Sequence, residues 1–417
     1  MSASYFDAII GGVAESISLG GGATAPAITE QQCASLIQRA HRLPGRPCGR
    51  AISWLVQRGT GFNWPEQVIE AITWYAVNDP DPSVDAPPIA EVWSDTTTHD
   101  RRSHEMDLYT AGINSTRGAA GEAIGRLLLD RPELVDTVHN AVHGVSQDPS
   151  IAVRSCAILA LLGLLNIDAQ KAIAWFKDCV SADPILLKAP YVERFVHYAA
   201  YKDCSAIWPT IESMLESGDA DVVCAASRQV CLLSLDLEMA TQELERVEKG
   251  TTEMRKAAAE VYAANVSHKI VGAVCRVRLK PFFTDADDLI RTQAASAFEY
   301  IATLDTSAQA DLLGAFLDAR PGPLALVPVV RALEASPVQL PDLVCRLGEL
   351  CIETHRDEAG DISKSASAVA MDVSKIVVRL YAHTGDAAIQ SRCLSMIDEM
   401  ERHNFVGLSA ELQQLDR

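Results

Sequence analysis

Two histidines four residues apart, His139 and His143 in Val138-His139-Asn140-Ala141-Val142-His143, would share one face of a helix, the spacing of a zinc-binding pair. Asn140 stands where a hydrolytic zinc site needs a glutamate as general base, and no third ligand is identifiable, so a solvated or partly packed helix face is expected. His99, Asp100, His104, Glu105 and Asp107 could gather a divalent ion if their loop folds back; the simpler reading is an exposed polar loop. Serines and cysteines are numerous, yet none sits in a G-x-S-x-G elbow or a Cys-His signature. Gly20-Gly21-Gly22 lacks the G-x-G-x-x-G spacing and reads as a flexible turn, and there is no G-x-x-x-x-G-K-[ST]. The expectation is a chain without catalytic, metal-binding or cofactor-binding residues.

The more informative chemistry is cationic. Arg39, Arg42, Arg46, Arg50 and Arg58 fall in a stretch with no Asp or Glu between Glu30 and Glu66. Such a strip could engage a phosphate or an acidic protein surface through bidentate guanidinium contacts. The alternative is internal: the same arginines would satisfy carbonyls at helix C-termini or pair with the acidic stretch Asp79 to Asp107. These five are the candidate partner-binding residues. Trp54, Trp64 and Trp74, ten residues apart, read as helix-packing anchors rather than a base-stacking platform.

The elements that must position this strip belong to a chain of 417 residues, enough for two to three compact domains or one elongated repeat array. Hydrophobic residues at 48% and charged residues at 22% exclude wholesale disorder, and aromatics at only 6% with abundant alanine and leucine favour helices over β-sandwiches. Lys+Arg 36 against Asp+Glu 55 leaves a formal charge of −19, which opposes a nucleic-acid-tracking surface over the whole molecule. The eleven cysteines contain no C-x-x-C, and several lie in apolar helical patterns, as reduced core thiols in cytoplasm would. No apolar run approaches the roughly 20 residues of a membrane span, and Ala8 to Ala14 has no basic residue before it, so it is a poor signal peptide.

From Asp148 to Val180 the periodicity predicts a helical hairpin: Ile151, Ile158, Leu161, Leu162 and Leu165 on one helix, a break at Asn166 to Asp168, then Ala172, Phe176 and Cys179 on the next. Similar openings recur at Tyr191, Asp219, Thr251 and Asp285, with Arg117, Arg154, Arg194, Arg255 and Arg291 in comparable early-helix places. Asn114-Ser115-Thr116 can cap the helix that follows, whose Gly118, Ala119, Ala120, Gly121, Ala123 and Gly125 make it small-sided. Residues 78–108, with Asp79-Pro80-Asp81-Pro82 and Pro87-Pro88, depart from the pattern and are expected to be irregular; 355–364 form a shorter polar break.

The pattern D-x-x-x-x-V-R-x-x-A of Asp148 to Ala157 resembles the second-helix opening of HEAT repeats, over most of residues 110–300 and more loosely to about 400. Cys224 stands where the arginine would be, so an Asp–Arg ladder between repeats is expected to break there. Against the HEAT-like di-iron hydroxylases, whose site needs several His-Glu pairs, only His104-Glu105 is present. Three segments taken together, Arg39 to Arg50, Trp74 to Pro82 and Gly112 to Ala120, look like the C-terminal helical region of very large bacterial ATP-binding proteins, some of the antiviral-defence type. That resemblance implies a nucleotide-binding domain upstream in a longer polypeptide, with the helical repeats as its sensing or docking part.

The expected architecture is therefore an all-α solenoid of stacked HEAT-like hairpins with an irregular N-terminal portion: an N-terminal helical segment at 1–77, the insertion at 78–108 and the repeats at 109–417. The expected function is non-catalytic recognition of a protein partner, viral or host, without a cofactor. The rival is an enzyme of HEAT-like fold, a metal-dependent hydroxylase or a DNA base-excision type.

Overall fold

In the computed structural model, residues 3–19, 28–59, 61–82, 101–360 and 366–415 are described, and they contain helices but no strand. The chain divides into two compact units, Met1–Val222 and Val223–Arg417. The first carries α1 (Ala3–Leu19), α2 (Glu30–His41), α3 (Gly49–Arg58), α4 (Glu66–Asn78), α5 (Arg101–Asn114), α6 (Thr116–Asp130), α7 (Val135–Ser146), α8 (Ile151–Leu165), α9 (Ala169–Val180) and α10 (Val192–Leu215). The dividing point lies within α11 (Ala220–Leu233). The second carries α12 (Glu238–Glu248), α13 (Thr252–Ala264), α14 (Gly272–Leu279), α15 (Asp288–Ala295), α16 (Thr306–Asp318), α17 (Pro323–Ala335), α18 (Pro341–His355), α19 (Ala366–His383), α20 (Ala387–Arg402) and α21 (Leu408–Leu415). The fold class is thus all-α, built in each unit from stacked helical hairpins.

Helix starts follow from side chains that satisfy the orphan amides of a first turn. Thr29 accepts from the Gln32 N–H while the Gln32 side chain accepts from the Thr29 N–H, a reciprocal cap on α2. Ser115 accepts from the Gly118 N–H at 3.2 Å and so caps α6, as its place before that helix predicts. The hairpin expected over 148–180 is α8 and α9, with Asp168 capping α9 through the Lys171 N–H. The paired helices expected after Tyr191 form α10, which is broken at Asp203 (φ −155°, ψ 87°), where that side chain caps the second half through the Ala206 N–H.

The first unit is centred on α8, buried on all sides from Ala152 to Leu165 apart from Arg154, which is why it is apolar all round rather than striped. Its close neighbour is α6. A Cβ on Gly125 would lie 2.7 Å from the Ala160 nitrogen, and one on Gly163 would lie 2.7 Å from the Leu128 Cβ, so the glycines allow the two backbones to approach. Helices α3 and α4 pack directly on α6, and α4 packs on α7, so the N-terminal helices and the first repeats share one unit. In the second unit, α13, α15, α17 and α19 follow one another in packed succession around Phe283, Phe298 and Phe316, with ring centroids 5.1 to 6.3 Å apart.

Arginines tie successive turns together. Arg117 donates through Nε and Nη2 to Asp148, 31 residues on, at 2.7 and 3.1 Å, and through Nη1 back to the Asp79 carbonyl. Arg255 repeats the arrangement in the second unit: Nε and Nη2 to Asp285 at 2.8 and 3.4 Å, Nη1 to the Gly250 carbonyl at 2.6 Å. At the Asp219 turn the counterpart is Lys188, at 2.6 Å. The residue six on from Asp219, matching Arg154 after Asp148 and Arg291 after Asp285, is Ala225 rather than its neighbour Cys224; either way no guanidinium occupies that place. Arg194, grouped with these arginines by sequence position, is exposed and takes no part in the ladder.

One expectation about irregular sequence needs correction. Residues 101–108 are the first two turns of α5, not part of an irregular insertion. Asp79 to Pro82 has no regular structure but is pinned: the Asp81 carboxylate accepts from the Thr116 N–H at 2.7 Å and from its hydroxyl, and the Asp81 carbonyl accepts from the Arg117 N–H. These bonds satisfy the first amides of α6. The remainder of the insertion, 83–100, and Gly20 to Gly22 lie outside the described residues, as do 361–364 of the second polar break.

Candidate partner-binding surface

The strip of five arginines begins on the last turn of α2, crosses a tight turn and continues along α3. At that turn Gly45 (φ 73°) and Arg46 (φ 47°) are both left-handed, and this reverses the chain between the helices. Arg46 is held there by its guanidinium, whose Cζ lies 4.0 Å from the centroid of the Trp74 ring. Its Nη1 is buried without a hydrogen-bond partner, as are the His41 Nδ1 and the Tyr75 hydroxyl beside it. Burial, and then the Arg46 charge, hold the His41 imidazole below its ordinary range, and burial raises the Tyr75 phenol.

On α3, Arg50, Trp54 and Arg58 recur every four residues and so share one face. Arg58 lies over the Trp54 ring at 5.8 Å, and Arg50 Nη1 donates to the Asn114 carbonyl at 3.4 Å. Arg39 reaches toward the Phe6 ring at 6.0 Å, and Arg42 is exposed at the end of α2. Among the described residues none of the five forms an ion pair. Arg117, Arg126, Arg131, Arg255, Arg278 and Arg392, by contrast, all do. The pairing expected with Asp79 and Asp81 does not occur, because Asp81 is engaged by Thr116 and the Asp79 side chain accepts from the Asp81 N–H. Burial raises the Asp79 carboxyl, partly offset by that hydrogen bond.

The structure sorts the strip between two clefts of the first unit. One, of about 510 Å³, is walled by Arg50, Trp54 and Arg58 of α3, Asp7 and Gly11 of α1, Tyr109 and Ile113 of α5, and Glu122 and Arg126 of α6. The other, of about 460 Å³, holds Arg46 and Arg50 with Asp7, Asp79 and Asp81. Arg39 and Arg42 line neither. Sequence reading missed Arg126, Tyr109 and Glu122. Of the three tryptophans Trp64 is buried, while Trp54 and Trp74 are partly buried beneath arginines, Trp74 packing edge-on against His41 of α2 and against Tyr75, and Trp54 lying beside Gly11 of α1.

Glu122 is 3% exposed and is the hub of the first cleft. It accepts a hydrogen bond from the Tyr109 hydroxyl and, through its other oxygen, pairs with Arg126 Nη2 at 2.7 Å. Burial, then the bond to Glu122, push the Tyr109 phenol well up; burial works against the Arg126 charge, but Glu122 outweighs it and raises the guanidinium further. The groups gathered here are guanidinium donors, the occupied Glu122 carboxylate and the Asp7 carboxylate.

The other sequence candidates fall elsewhere. His139 and His143 both pack against the Trp175 ring, at 4.9 and 4.6 Å between centroids, as residues of a partly packed helix face do. His104, Glu105 and Asp107 fall on α5, and nothing of their side chains is described; His99 and Asp100 lie outside the described residues. Among the described residues no three His, Cys, Asp or Glu side chains gather as a metal would require. None of the eleven cysteines is in a disulfide, and burial pushes the Cys179 and Cys231 thiols up to about 12. Within the described residues, no helix is long and apolar enough to cross a membrane.

No family model matches the chain, and no curated protein matches it. Among solved structures, a homology model of the full-length AP-3 complex in an intermediate open conformation overlaps 100% of this chain and 99% of its own, at 10% identity and a TM-score of 0.25. A likeness at that score carries no weight beside the helices described above.

Proposed function

We propose that this chain is a non-catalytic protein-recognition region, a sensor or scaffold, of a larger bacterial ATP-binding protein of the antiviral-defence type, acting in the cytoplasm. The observation that carries the recognition reading is the strip Arg39, Arg42, Arg46, Arg50 and Arg58: cations without carboxylate partners among the described residues, on a chain of formal charge −19. Three of them lie near aromatic rings, Arg46 most closely and with its Nη1 buried; Arg58, over Trp54, keeps a guanidinium edge for an incoming carboxylate.

The wider context rests on the resemblance of three sequence segments, and the fold supports treating them as one feature. Arg46 of the first stacks on Trp74 of the second, Arg50 bonds Asn114 of the third, and Asp81 of the second caps Thr116 of the third.

The test is affinity capture with the purified chain from host lysates with and without virus infection, read by mass spectrometry. The expected result is a viral protein enriched at fixed stoichiometry, lost when Arg42, Arg46 and Arg50 are changed together to Glu in a variant with unaltered circular dichroism. Host proteins alone, in both lysates, would indicate a constitutive scaffold. A folded variant that captures as before would remove the strip.

A further inference from the structure

The 510 Å³ cleft has a chemistry narrower than the strip as a whole. Three guanidiniums, Arg50, Arg58 and Arg126, face it together with two carboxylates, Asp7 and Glu122. Glu122 is already engaged, taking the Tyr109 hydroxyl on one oxygen and Arg126 Nε and Nη2 on the other. Those bonds leave Arg126 Nη1 without a protein acceptor and fix the plane in which it points. Arg50 uses only Nη1, toward the Asn114 carbonyl, and Arg58 donates no side-chain hydrogen bond among the described residues. Glu122 offsets one of the three guanidiniums and Asp7 also lines the cleft, so three cations against two carboxylates leave a net positive charge that a further carboxylate would offset. Trp54 and Ile113 add an apolar flank, while Gly11, Ala51 and Ala119 leave room beside it.

We propose that this cleft binds an acidic peptide segment of a protein partner, with one carboxylate seated between Arg50, Arg58 and Arg126 and an adjacent apolar side chain against Trp54. The proposal rests on the reading of the chain as a protein-recognition region and names the chemistry of what is recognised. A carboxylate accepts two parallel N–H donors from each guanidinium edge it meets, and an edge held in place by a neighbouring acid or ring loses less freedom on binding. Glu122 is a positioning residue here: it touches no ligand but holds Arg126. The volume suits one or two side chains, and Arg50 and Arg58, which form no ion pair among the described residues, keep N–H donors for the ligand. The second cleft, with Asp7, Asp79 and Asp81 around Arg46 and Arg50, is too acidic for the same guest.

The experiment uses the full chain and fluorescence anisotropy. The probes are a fluorescein-labelled peptide of alternating glutamate and leucine, its glutamine-for-glutamate counterpart, and inorganic phosphate and ATP as competitors. The expected result is saturable binding of the acidic peptide and none of the counterpart. Arg58→Gln and Arg126→Gln should each weaken binding about tenfold, a lost hydrogen-bonded charge contact. Lys177→Gln, an exposed cation of α9 outside both the cleft and the strip, should leave it unchanged. Glu122→Asp, which keeps the charge but shortens the reach, should weaken binding while Arg58→Gln still weakens it further.

Equal losses in Lys177→Gln and Arg58→Gln would mean diffuse surface attraction and would overturn the cleft. Displacement of the peptide by phosphate or ATP at lower concentration than by unlabelled peptide would mark a small-anion pocket and overturn the peptide assignment. Lysate capture separates the two levels. If the Arg58→Gln/Arg126→Gln chain still captures the partner that the wild type does, recognition stands and the cleft falls; if the wild type captures nothing, the recognition reading itself falls.

Discussion

Arg117 alone joins three points of the fold: its side chain reaches the Asp148 carboxylate and the Asp79 carbonyl, and its backbone N–H the Asp81 carbonyl. The pair is sealed, at 8% and 6% side-chain exposure, so removing one partner leaves the other charge buried and alone. Arg117→Ala is expected to cost about 3–5 kcal/mol. Arg255→Ala, whose side chain is 25% exposed in the equivalent pair, should cost less because water can reach the abandoned Asp285. All six tryptophans precede residue 222, so tryptophan fluorescence during urea unfolding reads the first unit, and far-UV circular dichroism reads both. Equal shifts for the two variants would show that burial does not set the cost. Residues of this kind also mark what sequence could reveal of the site. Arg50 and Arg58 are visible as a cationic run because no acid interrupts it, and their spacing on α3 puts them on one face. Arg39 and Arg42 belong to the same run but leave the site because the left-handed turn at Gly45 and Arg46 redirects the chain, and an arginine at φ 47° is not a residue type that announces such a turn. Arg126 and Tyr109 come from helices brought in by packing, and the one local trace of them is the four-residue spacing of Glu122 and Arg126.

At the scale of elements, α6 and α8 show how small residues decide packing. Glycine inside a helix is ordinarily a weakness of about 1 kcal/mol relative to alanine. Gly125 inverts the sign, because an added Cβ would meet the Ala160 nitrogen and Leu159 carbonyl carbon at 2.7 Å, and backbone atoms cannot swing aside. Gly125→Ala is therefore expected to destabilise by about 1–3 kcal/mol, the usual cost of overpacking. Gly314 in α16 has nothing within 4 Å of its would-be Cβ, so Gly314→Ala should stabilise by up to about 1 kcal/mol. Urea unfolding of both variants checks the pair, and stabilisation by Gly125→Ala would mean that α6 and α8 can separate without loss. The run from Gly118 to Gly125 announces a small-sided helix, and the apolar periodicity of 148–180 announces a hairpin, so both elements were legible. The helix at 101–108 was not, since His104, Glu105 and Asp107 carry no apolar stripe and follow a proline-rich stretch, and α5 is amphipathic only weakly. Tertiary packing of its C-terminal half, at Leu108 and Gly112 against α8, outweighs that local preference.

For the whole molecule, the acidic balance and the basic cleft act at different distances, and their competition gives a kinetic signature. At about 0.01 M salt the Debye length is roughly 30 Å, so an approaching acidic peptide feels much of the −19 charge and is repelled. Near 0.1 M the length falls to about 10 Å, and the peptide feels mainly the arginines it is about to touch. At 1 M, with about 3 Å, those contacts too are screened. The association rate of the glutamate–leucine peptide should therefore rise and then fall as salt increases, with its maximum at intermediate ionic strength. A complex of oppositely charged surfaces behaves otherwise, its association rate falling steadily from the lowest salt. The dissociation rate should climb throughout, because it reports the short-range guanidinium–carboxylate contacts alone. Stopped-flow anisotropy across that range separates the two. A steady fall in the association rate would mean that the field of the cleft outweighs the molecule's net charge even at long range. Arg58→Gln should lower the maximum without moving it toward lower salt, since it removes a local charge and changes the total by only one.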